Sequence, residues 1–149
     1  MFDAWIANTD RHDENLWYDY YGNTFLMFDH GRGVLGTSGR LHLTSNRSQL
    51  GIRIDSPCLS EFVETFHAFR HWHDRILDVP KHSIRQTAER AASVGVDIAL
   101  ARECAEWLLD RREKLPDLFR NNISSFPKYR PSLLDPFASS YDLLPEYNI

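Results

Sequence analysis

The chain has 149 residues, a formal net charge of −4 and 42% hydrophobic residues, which is enough material for one domain with its own apolar core. The mild acidity argues against a dedicated binder of nucleic acid or of anionic membranes, because both need a basic surface. No apolar run approaches the ~20 residues that span a bilayer, and the N-terminus lacks the pattern of a secretory signal. Two cysteines are too few for a disulfide framework. We therefore expect a cytoplasmic domain of the α or α+β class.

The first zone, residues 1–35, contains a predicted β-hairpin. Residues 16–20 and 25–28 are aromatic and apolar runs, and the residues between them have the composition of a turn. Upstream, residues 2–6 look like the end of a helix whose beginning we expect to lie outside this chain. Residues 36–55 mix Ser, Thr, Gly and Arg with isolated apolar residues, which is typical of a long irregular loop.

The second zone, residues 56–122, is helical in pattern. Ser56 and Pro57 predict the start of a first helix, whose apolar stripe continues to Leu77 and which Pro80 stops.

Two more helices are predicted in the same zone. One covers residues 81–93 and ends at Gly95, and the other is capped by Asp97 and runs towards Pro116. Residues 123–149 form a proline-rich tail. The fold class is therefore α+β, mainly helical, with one hairpin and at least three helices.

Three polar residues flank the hairpin at a spacing that suggests phosphoryl transfer. That reaction needs a carboxylate beside the attacking hydroxyl and oxygen ligands for the magnesium ion that neutralises the phosphates. Protein kinases supply them as an Asp, an Asn five positions later, and a second Asp after a short hairpin. Asp10, Asn15 and Asp29 stand in this order and spacing.

The hairpin brings two of these residues together, because antiparallel strands return the chain to where it started. A three-residue loop would place Asn15 and Asp29 directly opposite each other, with Cβ atoms ~5 Å apart. A two-residue loop would instead oppose Asn15 to His30. We expect the longer connection, or a bulge, if the pair shares a metal ion.

The sequence resembles a known group of enzymes at these residues. Asp-Arg-His-x-x-Asn at residues 10–15, followed by Asp-x-Gly at residues 29–31, is similar to the catalytic and metal-binding segments of HipA-like kinases and of phosphatidylinositol 3- and 4-kinases. The amino-acid sequence of residues 2–12 is more similar to the HipA-like kinases than to the phosphatidylinositol kinases. The resemblance is strong to about residue 35 and extends, as a helical pattern, to about residue 122.

The resemblance implies the C-terminal lobe of a kinase-like fold that uses ATP and Mg²⁺. Asp10 would be the catalytic aspartate, and Asn15 and Asp29 would hold Mg²⁺ and thereby ATP. His12 would lie near the transferred phosphate, and Arg11 would be either a structural or a phosphate-facing cation. The implied acceptor is a Ser or Thr hydroxyl of a protein, and residues 36–55 would correspond to an activation segment.

A kinase also needs an N-terminal lobe with a glycine-rich loop and a strand lysine. Only nine residues precede Asp10, and the first lysine is Lys81. We therefore expect little or no kinase activity from this chain alone. Apolar surface on the hairpin and around Phe2 should be covered by a separate N-lobe chain or by self-association.

Two alternatives remain open. The first alternative is a non-catalytic helical interaction module derived from a kinase, in which Asp10 and Asn15 are ordinary turn residues. Alternatively, His67, His71 and His73 could ligate a metal in a hydrolase, although no further ligand stands at the expected spacing.

Other motifs carry less weight. The glycines of residues 31–36 match G-x-G-x-x-G, but no helix follows them, so they indicate a mobile loop. Cys58 and Cys104 are interpreted as small buried hydrophobic residues. Arg111 and Arg112 are interpreted as part of a solvated helix face.

Overall fold

The computed structural model describes residues 1–8, 11–30, 33–34 and 60–130. These residues form an α+β fold that is mostly helical, with one antiparallel hairpin and four α-helices, as the sequence predicts. The elements are α1 (Phe2–Ile6), β1 (Leu16–Asp19), β2 (Thr24–Met27), α2 (His67–Leu77), α3 (Lys81–Ser93) and α4 (Ile98–Asn121). Short 3₁₀ turns cover Asp13–Asn15 and Ile123–Ser125.

Several predictions fall outside the described residues. They concern Asp10, the glycine motif at residues 31–36 apart from Gly33 and Val34, the loop at residues 36–55, the helix start at Ser56 and Pro57, and Cys58. Residues 131–149 of the proline-rich tail lie outside them as well.

Helix α4 is the element around which the other helices pack. It has 24 residues, so it is about 36 Å long, and α1, α2 and α3 all contact it. The core that these contacts bury consists mainly of aliphatic and aromatic side chains: Trp5, Ile6, Phe66, Ile76, Ile84, Ala88, Ala101, Ala105, Leu109, Leu115, Leu118, Phe119 and Phe126.

The turn between α3 and α4 confirms two predictions made from local signals. Gly95 has a φ of 107°, a left-handed conformation that favours glycine, and its N–H donates to the Ala92 carbonyl at 3.1 Å. Asp97 caps α4 through Oδ1, which accepts a hydrogen bond from the Leu100 N–H at 2.9 Å.

The predicted first helix of the second zone is wrong between residues 61 and 66. Helix α2 begins only at His67, because the backbone before it is hydrogen-bonded to a distant part of the chain. The Glu64 carbonyl accepts from the Arg130 N–H at 2.9 Å, so it is not available to a helix ladder. Phe66 is fully buried in an aromatic cluster with Phe69, Phe119, Phe126 and Tyr129.

Helix α4 continues past Pro116, where the sequence predicts its approximate end. Proline has no N–H, so the carbonyl of Arg112 loses its partner in the helix. The ring of His73, on α2, supplies the replacement, since its Nε2 lies 2.8 Å from the Arg112 carbonyl oxygen. A carbonyl only accepts, so Nε2 carries the proton that is donated.

The interpretation of Arg111 and Arg112 as a solvated face is wrong, because both are buried, with exposures of 6% and 4%. Arg111 Nε donates to the Ala4 carbonyl of α1 at 2.8 Å, and Arg112 Nη1 donates to the Val79 carbonyl just beyond α2 at 2.7 Å. Carbonyls at the C-terminal ends of helices lack partners within the helix and carry partial negative charge. The two arginines therefore join α4 to the ends of two other helices.

Most aromatic side chains of the hairpin are exposed, although Tyr18 is half-buried. Trp17 is 64% exposed, Phe25 63%, and Tyr20 and Tyr21 at the tip 85% and 103%. The side chains that the sequence predicts as uncovered apolar surface are therefore at the surface. Within the described ranges, no helix combines the length and the apolarity that crossing a bilayer requires.

Candidate functional site

The candidate site lies at the root of the hairpin and is organised by the buried guanidinium of Arg11. Nε and Nη2 of Arg11 form a bidentate pair with the Asp3 carboxylate at 2.9 and 2.8 Å. Nη1 donates to the carbonyl oxygens of Asn15, at 3.0 Å, and Phe28, at 2.8 Å. Nη2 also lies 2.8 Å from Nδ1 of His30. One side chain thus joins α1 to both ends of the hairpin.

The register of the hairpin places the predicted metal pair close together but not directly opposite. Leu16 pairs with Met27, and the Phe28 N–H donates to the Asn15 carbonyl at 3.3 Å, so Asn15 faces Phe28. The connection is longer than two residues, as expected, but it has four residues, 20–23, and not three. Asp29 consequently follows one position beyond the residue that Asn15 faces.

A one-residue offset in regular strands would send the two side chains to opposite faces. That rule does not apply here, because neither residue belongs to a strand. Asn15 ends the 3₁₀ turn Asp13–Asn15, and Asp29 has a φ of 50° in the left-handed region. Asp tolerates this conformation better than most residues, although at a cost in energy.

The two residues of the pair differ in their exposure. Asn15 is buried, with 5% of its surface exposed, whereas Asp29 is exposed. Asn15 offers an amide oxygen and Asp29 a carboxylate, and oxygen atoms of these kinds are the ligands that Mg²⁺ prefers. Mg²⁺ commonly keeps several waters and binds one or two protein carboxylates together with phosphates, so a pair of this composition fits the ion.

The remaining residues of the motif have different surroundings. Asp10, the predicted catalytic aspartate, lies outside the described residues. The His12 side chain is 43% exposed, and its Nδ1 lies 3.9 Å from Glu14 Oε2. Arg11 is 3% exposed. Of the two roles expected for Arg11, its contacts favour the structural one.

The charge of Asp3 is stabilised by its partners. Burial raises the pKa of Asp3, but hydrogen bonds from Arg11 and Asn8 and the positive charge of Arg11 outweigh it and hold the pKa below its usual value. The Asn8 side chain donates to Asp3 Oδ1 at 2.9 Å. Asp3 is therefore ionised at neutral pH and neutralises the buried guanidinium.

Sequence reasoning missed Asp3 and the contact of His30 with Arg11. Asp3 lies eight positions before Arg11 and His30 nineteen positions after it, and Arg11 belongs to no helix or strand, so no helical or strand period relates the three residues. An acidic residue upstream of a buried arginine would have been the only available signal. The pairing follows from the way α1 and the hairpin meet.

Histidines 67, 71 and 73 do not form a metal site. His67 and His71 are exposed, while His73 contacts the Arg112 carbonyl. In the part of the chain that the structure describes, no three His, Cys, Asp or Glu side chains converge on one position.

An apolar cavity of about 400 Å³ lies between α1, α3 and α4. Trp5, Ile84, Ala88 and Cys104 are among its lining residues. Burial, followed by the nearby charge of Glu103, raises the pKa of the Cys104 thiol to about 11. The thiol is therefore protonated at neutral pH. Cys104 is half-buried, so its interpretation as a small buried hydrophobic residue is confirmed only in part.

Comparison with known proteins adds no relative. No protein family, no curated protein and no solved structure matches this chain.

Proposed function

We propose that this chain is the C-terminal lobe of a HipA-like kinase, which transfers the γ-phosphate of ATP to a Ser or Thr hydroxyl of a protein. The observation that supports the proposal is that the register of the hairpin brings the backbones of Asn15 and Asp29 close together at its root. The residues are fourteen positions apart in sequence, yet one buried arginine binds the carbonyl of Asn15 and the carbonyl next to Asp29. Oxygen ligands at this point suit a magnesium-nucleotide site.

In the proposed mechanism, the residues of the motif have different roles. Asn15 and Asp29 would hold Mg²⁺, which neutralises charge on the nucleotide phosphates. Asp10 would orient the acceptor hydroxyl and accept its proton. The His12 side chain is partly exposed and would approach the γ-phosphate. Positioning and electrostatic stabilisation supply most of the rate enhancement in such reactions.

Binding of a divalent ion to the purified chain tests the proposal without requiring turnover. Mn²⁺ would serve as the probe, with free ion measured by electron paramagnetic resonance in the presence and absence of ATP. We expect Asp29→Asn to weaken Mn²⁺ binding by at least about tenfold, the lower range for loss of an outer-shell partner. Asn tolerates the left-handed backbone of residue 29, so this variant removes charge with little strain.

The hairpin provides a matched control. Asp19→Asn also removes one carboxylate, but Asp19 lies near the tip, where its Oδ1 accepts from the Tyr21 N–H at 3.0 Å. We expect this variant to bind Mn²⁺ like the parent chain. Equal binding by Asp29→Asn and Asp19→Asn, or no saturable binding by the parent, would contradict the proposed kinase site.

A non-catalytic interaction module is the second candidate, and the exposed aromatic hairpin favours it. Trp17, Phe25 and Leu26 are all exposed on the same short hairpin, and a group of exposed apolar side chains of this kind is typical of an interaction surface. The same titration separates the two candidates. A kinase site predicts saturable Mn²⁺ binding that depends on Asp29, whereas an interaction module predicts none.

A further inference from the structure

We propose that Arg11 and Asp3 are positioning residues for Asn15 and Asp29, the two proposed ligands of the divalent ion, and that Arg11 does not contact the nucleotide phosphates. This inference rests on the proposed function, because it concerns how the same site is held. The juxtaposition that carries it is a single guanidinium bonded to α1, to both sides of the hairpin root and to the residue that follows Asp29.

The donors of Arg11 are fully used. A guanidinium has five N–H groups, and within the described residues each of them has an acceptor: two donate to Asp3, one each to the Asn15 and Phe28 carbonyls, and one to His30. A phosphate oxygen could therefore bind Arg11 only by displacing one of these partners. The side chain is also 1% exposed, which separates it from solvent and from a ligand.

The contacts of Arg11 fix the backbone on both sides of the proposed metal site. The Asn15 carbonyl belongs to one proposed ligand, and the Phe28 carbonyl immediately precedes the other. His30 holds the chain directly after Asp29, and its Nδ1 must accept, since a guanidinium only donates. Movement of Arg11 would thus change the separation of Asn15 and Asp29.

Asp3 makes this arrangement rigid and connects it to the helices. Its two carboxylate oxygens bind Nε and Nη2 of Arg11 in the planar bidentate geometry that lysine cannot reproduce. Asp3 lies in α1, which contacts α4. The proposed ligands are therefore positioned relative to the helical core through two side chains.

The test is Mn²⁺ affinity of the full chain, measured on folded protein with helix content checked by circular dichroism. Arg11→Lys keeps the positive charge but offers donors from one point only, and we expect it to weaken Mn²⁺ binding by about 10- to 100-fold. The matched control is Arg85→Lys, because Arg85 forms a similar two-point contact with Glu106, on α3 and α4, away from the hairpin. That variant should bind Mn²⁺ like the parent.

A second variant covers the case in which Arg11→Lys does not fold. Asp3→Asn keeps an oxygen acceptor and removes the charge, and we expect the same direction of change with a smaller magnitude. Parent-like Mn²⁺ affinity in a folded Arg11→Lys or Asp3→Asn variant overturns the positioning role while the metal site stands. Absence of Mn²⁺ binding in the parent chain overturns the proposed function itself, and the positioning role with it.

Discussion

His73 and Pro116 form a coupled pair whose energy can be measured directly. Pro116 removes the helical N–H that would bind the Arg112 carbonyl, and His73 Nε2 occupies that acceptor at 2.8 Å. The informative perturbation is His73→Phe, which keeps an aromatic ring and removes the donor. It is made in the parent chain and again in a Pro116→Ala background, where residue 116 regains its N–H.

The expected magnitude follows from the burial of the acceptor. Arg112 is 4% exposed, so loss of the histidine leaves its carbonyl without a hydrogen bond in a site that water does not readily reach. An unsatisfied buried group costs about 1–3 kcal/mol. For a domain of this size, that destabilisation lowers the melting temperature by roughly 2–4 °C per kcal/mol.

In the Pro116→Ala background the cost should largely disappear. The N–H of the introduced alanine can donate to the Arg112 carbonyl and restore the regular helical bond. The four proteins are compared by urea denaturation followed by circular dichroism, and the cycle isolates the interaction energy between the two positions. An equal cost of His73→Phe in both backgrounds would refute the coupling.

Three further predictions concern single sites. Asp97→Ala removes the cap of α4 and should lower the free energy of unfolding by about 1 kcal/mol in urea denaturation, whereas Asp97→Asn should stay near the parent; equal losses would exclude the capping role. Because its pKa is raised to about 11, Cys104 in a Cys58→Ser background should react with iodoacetamide at neutral pH much more slowly in the native protein than in urea, and similar rates would contradict its protection. Asp3 has a lowered folded-state pKa, so its contribution is present above its unfolded pKa of about 3.9 and is lost as the pH falls through the folded-state pKa. Asp3→Asn should therefore be less stable than the parent at pH 6 and approach it in acid, and a constant difference across this pH range would argue against the ion pair with Arg11.

The parts of the fold that the sequence predicts well depend on neighbouring residues. Helix α3 begins directly after Pro80 and ends shortly before Gly95, and α4 begins directly after its cap, Asp97. Each of these signals lies within a few positions of the helix boundary that it predicts. The hairpin is predicted for the same reason, since its two apolar runs and its turn are contiguous.

The features that the sequence predicts wrongly depend on residues far apart in the chain. The break before α2 follows from the bond between the Glu64 carbonyl and the Arg130 N–H, sixty-six positions away, and no local pattern announces it. Burial of Arg111 likewise depends on the Ala4 carbonyl. At the candidate site, the type and order of the residues are readable from the sequence. The four-residue connection of the hairpin and the partners of Arg11 could be identified only from the structure.

The length of α4 has a consequence for how the chain can be divided. Its N-terminal half packs on α3, its middle receives the indole of Trp5 at the Leu108 carbonyl, and its last turns hold Phe119 against Phe66. We therefore expect that cutting the chain within this helix leaves no fragment that folds independently. Fragments ending inside it should lack a cooperative melting transition, and we expect the smallest stably folded fragment of the helical portion to extend at least to Tyr129, which stacks on Phe66.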